Sequence, residues 1–129
     1  MVSSPSGLTP RPRRRVLCLD DDLAIARMVA DVVEFLGHDP VVETDSVAAI
    51  IHHARGDFGA AIVDLLMPRV SGIDVLTAFS RSNPNVRRVL LTAAPNEREI
   101  AEAMRDGIVQ MLLVKPPMIG DLRAALAWL

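Results

Sequence analysis

Four apolar runs in this chain each end abruptly on a side chain that can do chemistry. Val16-Leu17-Cys18-Leu19 leads into Asp20-Asp21-Asp22, Ala60-Ala61-Ile62-Val63 into Asp64, Val89-Leu90-Leu91 into Thr92, and Met111-Leu112-Leu113-Val114 into Lys115. If Asp20, Asp21 and Asp64 share a pocket, their mutual repulsion makes it costly to keep all three ionised, and a bound cation offsets that cost. Hard carboxylate oxygens favour Mg²⁺, which keeps several waters and takes one or two protein carboxylates together with phosphate oxygens. Asp64 is then the natural nucleophile, attacking a phosphoryl donor to give an acyl phosphate. Lys115, the single lysine of the chain, would pair with one phosphoryl oxygen and the Thr92 hydroxyl would donate to another. Asp22 reads instead as a helix-start residue, where a carboxylate is favoured by the helix dipole.

Such a convergence requires a fold that carries distant residues to one rim. The apolar runs, with Val41-Val42 as a fifth, read as short buried strands. Between the first two, Ile25, Met28, Val29, Val32, Val33 and Leu36 recur at spacings of three and four, the stripe of a helix packed on a sheet, and Gly37 closes it. A second helix is expected from about Ser46 to Arg55. A third starts at Ser71, where Ser71-Gly72-Ile73-Asp74 resembles a capping box, and Asn96 is the expected cap of a fourth. The fifth covers about Ile119 to Leu129. Apolar strands alternating with helices predict an α/β fold, a parallel sheet covered on both faces, because right-handed crossovers place the helices there. In such sheets ligand-binding groups gather beyond the carboxyl ends of the strands, where Asp20, Asp64, Thr92 and Lys115 stand.

Length and composition narrow the class further. A chain of 129 residues suits one domain, predicted over 15–129 behind a loose tail at 1–14 rich in Pro, Ser and Arg. Half the residues are apolar and none is tyrosine, so the core must be aliphatic. The net charge of −2 supplies no overall basic field for nucleic acid, and the cluster Arg11, Arg13, Arg14, Arg15 is the one feature that could meet nucleic acid or acidic lipid. No apolar run is long enough to cross a bilayer, and the first residues lack the apolar stretch of a secretion signal, so a cytoplasmic location is expected. Cys18, alone in the chain and inside an apolar run, predicts a buried, inert thiol. Adjacent His52 and His53 point in different directions on a helix and make a poor metal pair, while His38 reads as a loop residue.

Over about residues 15 to 129 the chain resembles the response-regulator receiver family. Four segments carry the likeness: Val16-Leu17-Cys18-Leu19-Asp20-Asp21, Ile62-Val63-Asp64-Leu65-Leu66-Met67-Pro68-Arg69-Val70-Ser71-Gly72, Val89-Leu90-Leu91-Thr92-Ala93 and Val114-Lys115-Pro116. The resemblance implies a flavodoxin-like three-layer (βα)5 sandwich with sheet order 2-1-3-4-5. It implies Mg²⁺ bound directly by Asp21 and Asp64, through water by Asp20, and by the Leu66 backbone carbonyl. It also implies a cis peptide between Lys115 and Pro116, and a turn after Met67-Pro68 permitted by Gly72. By the same resemblance a sensor histidine kinase or phosphotransfer protein loads Asp64, and the loaded form alters contact with an output domain, an effector or a second copy. The chain would promote only its own phosphorylation and dephosphorylation, rather than act as an enzyme on others. Two departures bear on the output face: Leu112 stands where the family carries an aromatic switch residue, and Pro117 where an aromatic often follows Lys-Pro.

Two other readings compete. A haloacid-dehalogenase-like phosphatase would use Asp20-Asp21-Asp22-Leu23-Ala24, but Ala24 replaces the expected Thr or Val and the Asp64 to Gly72 segment is left unexplained. A receiver-like docking module that turns over no phosphate fits the loss of the aromatic at Leu112, yet it would be expected to have lost an acidic residue, Thr92 or Lys115. No helix-turn-helix, kinase or cyclase segment lies within these residues, so the expectation covers an input unit.

Overall fold

In the computed structural model, which describes residues 12–129, five strands and five helices alternate along the chain. The strands are β1 (Arg15–Leu19), β2 (Asp39–Glu43), β3 (Ala60–Asp64), β4 (Arg87–Thr92) and β5 (Met111–Val114). The helices are α1 (Leu23–Phe35), α2 (Ser46–Ala48), α3 (Gly72–Ser82), α4 (Arg98–Arg105) and α5 (Ile119–Leu126). All pairings are parallel and the sheet order is β2-β1-β3-β4-β5, as the resemblance implied. Among the described residues no helix is long and apolar enough to cross a membrane.

Why this becomes three layers is visible in the period of two along each strand. Val16, Cys18, Ala60, Ile62, Val89 and Leu91 face one side, where Val29 and Val33 of α1 and Leu122, Ala125 and Leu126 of α5 cover them. Leu17, Leu19, Ala61, Val63 and Leu90 face the other, against Val75, Leu76 and Phe79 of α3 and Ile100 and Ala103 of α4. Each fully buried aliphatic side chain contributes about 1.5 to 3 kcal/mol. Cys18 lies in the first of these layers, and burial pushes its thiol up to about 12, so it stays protonated and inert.

Several details depart from the sequence reading. The second helix runs as α only to Ala48 and continues as a π-helical turn over Ala49–His53, stopping short of Arg55. The cap residue of α4 is Glu97, not Asn96, because Pro95 and Asn96 are spent on a turn that precedes it. The last helix ends at Leu126, and Leu129 reaches the core from beyond it. Strand β2 begins at Asp39 and includes Pro40, tolerated because β2 is an edge. Gly37, in a left-handed conformation (φ 93°), closes α1 as expected: its N–H donates to the Glu34 carbonyl and that of His38 to Val33. His38 lies in a loop but is buried, and its Nδ1 accepts from the Arg14 N–H at 3.2 Å.

Residues 1–11, and with them Arg11 and most of the expected tail, lie outside the described residues. Arg13 and Arg14 are held against β2. The Arg13 guanidinium pairs with Asp39 at 2.6 Å, and the Arg14 carbonyl accepts from the Asp39 N–H.

Candidate functional site

The carboxyl ends of the strands bring the chemistry-bearing residues together. Asp20 follows β1, Asp64 ends β3, Thr92 ends β4 and Lys115 follows β5. Carboxylate oxygens of Asp20, Asp21 and Asp64 lie within 4.8 Å of one another, and among the described residues this is the one group of His, Cys, Asp or Glu able to hold a metal. His52 and His53 form no such group; His53 Nε2 instead meets Glu43 Oε1 at 3.2 Å.

Each side chain is aimed by its backbone. Leu19, the last residue of β1, is locked between β2 and β3, and the Asp20 N–H donates to the Glu43 carbonyl, so the chain turns out of the sheet at Asp20. Asp20 Oδ1 then accepts from the Asp22 N–H at 2.9 Å, while Asp22 caps α1 by accepting from Ala24. Asp22 is therefore a helix-start residue and stays out of the cluster. Asp20 and Asp64 are almost fully buried, whereas Asp21 is exposed at the mouth.

Lys115 bridges the buried pair. Its Nζ lies 2.8 Å from Asp20 Oδ2 and 2.9 Å from Asp64 Oδ1. The contact with Asp20 is an ion pair that falls short of the alignment of a hydrogen bond, leaving buried Oδ2 without a directed donor. A buried anionic oxygen short of donors, beside two more carboxylates and one ammonium, is the donor set a small hard cation completes. The residues present fit Mg²⁺.

The charges respond accordingly. Burial, foremost, raises the Asp64 carboxyl above the ordinary carboxylate range; Lys115 holds the rise down, while Asp20 and Asp21 add to it. Burial alone would lower Lys115, but the close attraction of the Asp20 and Asp64 carboxylates outweighs it, so its ammonium is held above the usual lysine range. The stabilisation from its pairing is fully present below the unfolded lysine value of about 10.4 and is lost as pH climbs from there through the raised folded one.

At neutral pH, Lys115→Ala is expected to destabilise the metal-free protein by about 2 kcal/mol, because two buried carboxylates lose their counter-charge. The deficit should shrink in acid as Asp64 takes a proton. Thermal melts from pH 4 to 8 would show it, and a deficit independent of pH would refute the pairing as its cause.

Thr92 is buried, and its Oγ1 accepts from the Ala94 N–H at 2.9 Å, which uses a lone pair and leaves the hydroxyl hydrogen to donate. Its carbonyl accepts from the Lys115 N–H at 2.9 Å, tying the two strand ends together. The Lys115-Pro116 peptide is cis. Leu66 is exposed on the loop after Asp64. Leu112 is half-buried against the core layer of α3 and α4, and Pro117 is buried.

Within this loop the residue with a left-handed backbone is Arg69 (φ 71°). Gly72 is required because a Cβ there would collide with the Asp64 carbonyl.

The sequence profile of the response regulator receiver domain matches residues 16–127. The chain belongs to the response regulator receiver family. Its relatives include the DNA-binding response regulator MtrA of Mycobacterium leprae, 31% identical over 97 residues that cover 74% of this chain and 42% of that protein. Another is the response regulator protein FleR of Pseudomonas aeruginosa, 32% identical over 102 residues, covering 79% of this chain and 21% of that protein. The chain thus spans less than half the length of these relatives. Among solved structures, the receiver domain of the Francisella response regulator 1452 superposes with a TM-score of 0.76 at 25% identity, over 90% of this chain and 95% of that one. A receiver domain protein from Clostridium thermocellum gives 0.78 at 23% identity, over 88% and 91%. This receiver is a module of two-component signal transduction.

Proposed function

We propose that Asp64 is the phosphoacceptor, loaded by a sensor histidine kinase or phosphotransfer protein, and that Asp20, Asp21, Asp64 and the Leu66 carbonyl hold Mg²⁺. The observation that carries this reading is the placement of Asp64: a buried carboxylate 2.9 Å from Lys115 Nζ and beside two further carboxylates. Bound there, Mg²⁺ would supply the positive charge that offsets the incoming phosphoryl oxygens.

The chain's own residues do the rest. An Asp64 carboxylate oxygen forms a bond to phosphorus as the bond from phosphorus to the donor's imidazole nitrogen breaks. The imidazole leaves with the electron pair and takes up a proton. Lys115 turns from the two carboxylates toward a phosphoryl oxygen, and the Thr92 hydroxyl donates to another. Phosphoryl transfer here is a reaction of the chain upon itself, and its consequence is altered contact with an output domain, an effector or a second copy. Residues 15–129 form the receiver unit, and the same reading puts it in the cytoplasm, where the kinase presents its phosphohistidine.

The purified chain with acetyl phosphate and Mg²⁺ should gain one phosphoryl group by intact mass, and excess EDTA should reduce the gain to background. Equal uptake with and without EDTA would overturn the metal assignment, and no uptake under either condition would overturn phosphoacceptance.

A further inference from the structure

The proposed Mg²⁺ ligands sit on two loops far apart in sequence, Asp20 and Asp21 after β1 and Asp64 with Leu66 at the end of β3. A third loop, between β2 and α2, joins them. On one side the Glu43 carbonyl accepts from the Asp20 N–H at 3.2 Å. On the other, Arg69 Nη2 sits astride the Asp45 carboxylate, 2.8 Å from each oxygen, and the Ser46 hydroxyl donates to the Pro68 carbonyl at 3.0 Å. The joining loop is itself braced, since Glu43 Oε2 accepts from the N–H groups of both Thr44 and Asp45.

Arg69 holds a left-handed backbone that non-glycine residues seldom adopt, so its neighbours must maintain it. Between the loops opens a cleft of about 170 Å³ lined by Asp21, Thr44, Asp45, Ser46, Pro68 and Arg69. The Asp45–Arg69 pair and the exposed ligand Asp21 therefore share one space.

We propose that Asp45 and Arg69 are a positioning pair: by tying the loop after β3 to the loop after β2, they hold Leu66 and Asp64 in register with Asp21 and so set the affinity of the pocket for Mg²⁺. This rests on the reading of the pocket as a Mg²⁺ site. The pair acts through the loops, and that separates it from a simple field effect. If only charge mattered, Asp45→Asn would weaken Mg²⁺ binding by leaving Arg69 uncompensated beside Asp21, whereas Arg69→Gln would strengthen it. Positioning requires that both weaken it.

Asparagine at position 45 keeps the α2 cap, which Asp45 now provides by accepting from Val47 and Ala48, so that change removes charge with little harm to the helix. Calorimetric titration with Mg²⁺ should show each variant weakened about three- to fivefold, the scale of an exposed ion pair. The double variant should be no weaker than either single one, since the two residues act as one unit. Uptake from acetyl phosphate should slow at limiting Mg²⁺ and return to the wild-type rate at saturation, a split that general loss of folding would not produce. Tighter or unchanged binding in Arg69→Gln, or additive losses in the double variant, would overturn the inference. If the wild-type chain binds Mg²⁺ and takes up phosphate while both variants match it, this inference alone falls; if the wild type binds none, the site reading falls with it.

Discussion

An Asp64→Asn protein is expected to gain no phosphoryl group from acetyl phosphate or a kinase donor under conditions that load the wild type, because an amide cannot form the acyl phosphate. The same change should raise the melting temperature of the metal-free protein at neutral pH. Burial first, then the charges of Asp20 and Asp21 against the pull of Lys115, leave the Asp64 carboxyl above its ordinary range. A carboxyl whose pKa rises on folding holds its proton more tightly in the folded state. Its stabilising contribution is present below the unfolded value of about 4 and is lost as pH climbs through the folded one. At neutral pH the ionised carboxylate is thus a net cost that the neutral amide avoids. Melting curves in EDTA should separate the two proteins at pH 7 and bring them together toward pH 4, and added Mg²⁺ should stabilise the wild type more than the variant. Phosphate on the variant would remove Asp64 as acceptor, and a wild type that melts higher at pH 7 would contradict the electrostatic account.

The convergence of Asp20, Asp64 and Lys115 is legible in the sequence because a parallel sheet leaves few choices. Continuous apolar runs announce strands buried on both faces, and the residue after each run must emerge at the same rim. What stayed hidden depends on groups that no local pattern encodes. Nothing in the local sequence marks Arg88 as buried, yet it is, its guanidinium donating to the carbonyls of Pro84, Val86, Gly107 and Ile108. Those acceptors come from the ends of two loops that meet only after β4 and β5 have paired. Burial lowers the Arg88 pKa from the usual arginine value, and the four carbonyls offset the cost of removing the charge from water. Asp45 and Arg69 escaped for the same reason: an acid and a base 24 positions apart carry no periodicity. Glu97 displaced Asn96 as the start of α4 because Pro95 commits the residues around it to a turn, a choice that side-chain capping preference alone does not reveal.

Gly72→Ala tests the one place where the site and the fold are the same contact. A Cβ at Gly72 would overlap the Asp64 carbonyl oxygen and lie 2.8 Å from its carbon and 3.1 Å from Leu65 Cα, all of it backbone. No side chain can swing away, so either the start of α3 or the end of β3 must move. The Gly72 N–H also donates to the Leu65 carbonyl at 2.9 Å, and a shift large enough to admit a methyl group would break that bond. Overpacking on this scale, with a lost hydrogen bond, is expected to cost about 3 kcal/mol, read as a lower urea midpoint with an unchanged slope. Gly120, within α5, has open space where its Cβ would be, so Gly120→Ala should instead stabilise by about 0.5 kcal/mol. The contrast isolates the cause, since both changes add one methyl group to a glycine in the first turn of a helix. Because the displaced backbone belongs to Asp64, folded Gly72→Ala should also bind Mg²⁺ and take up phosphate more weakly, while Gly120→Ala should match the wild type. A Gly72→Ala protein as stable as the wild type would mean that α3 can retreat from β3 at little cost, and the rigid seating of Asp64 would have to be abandoned.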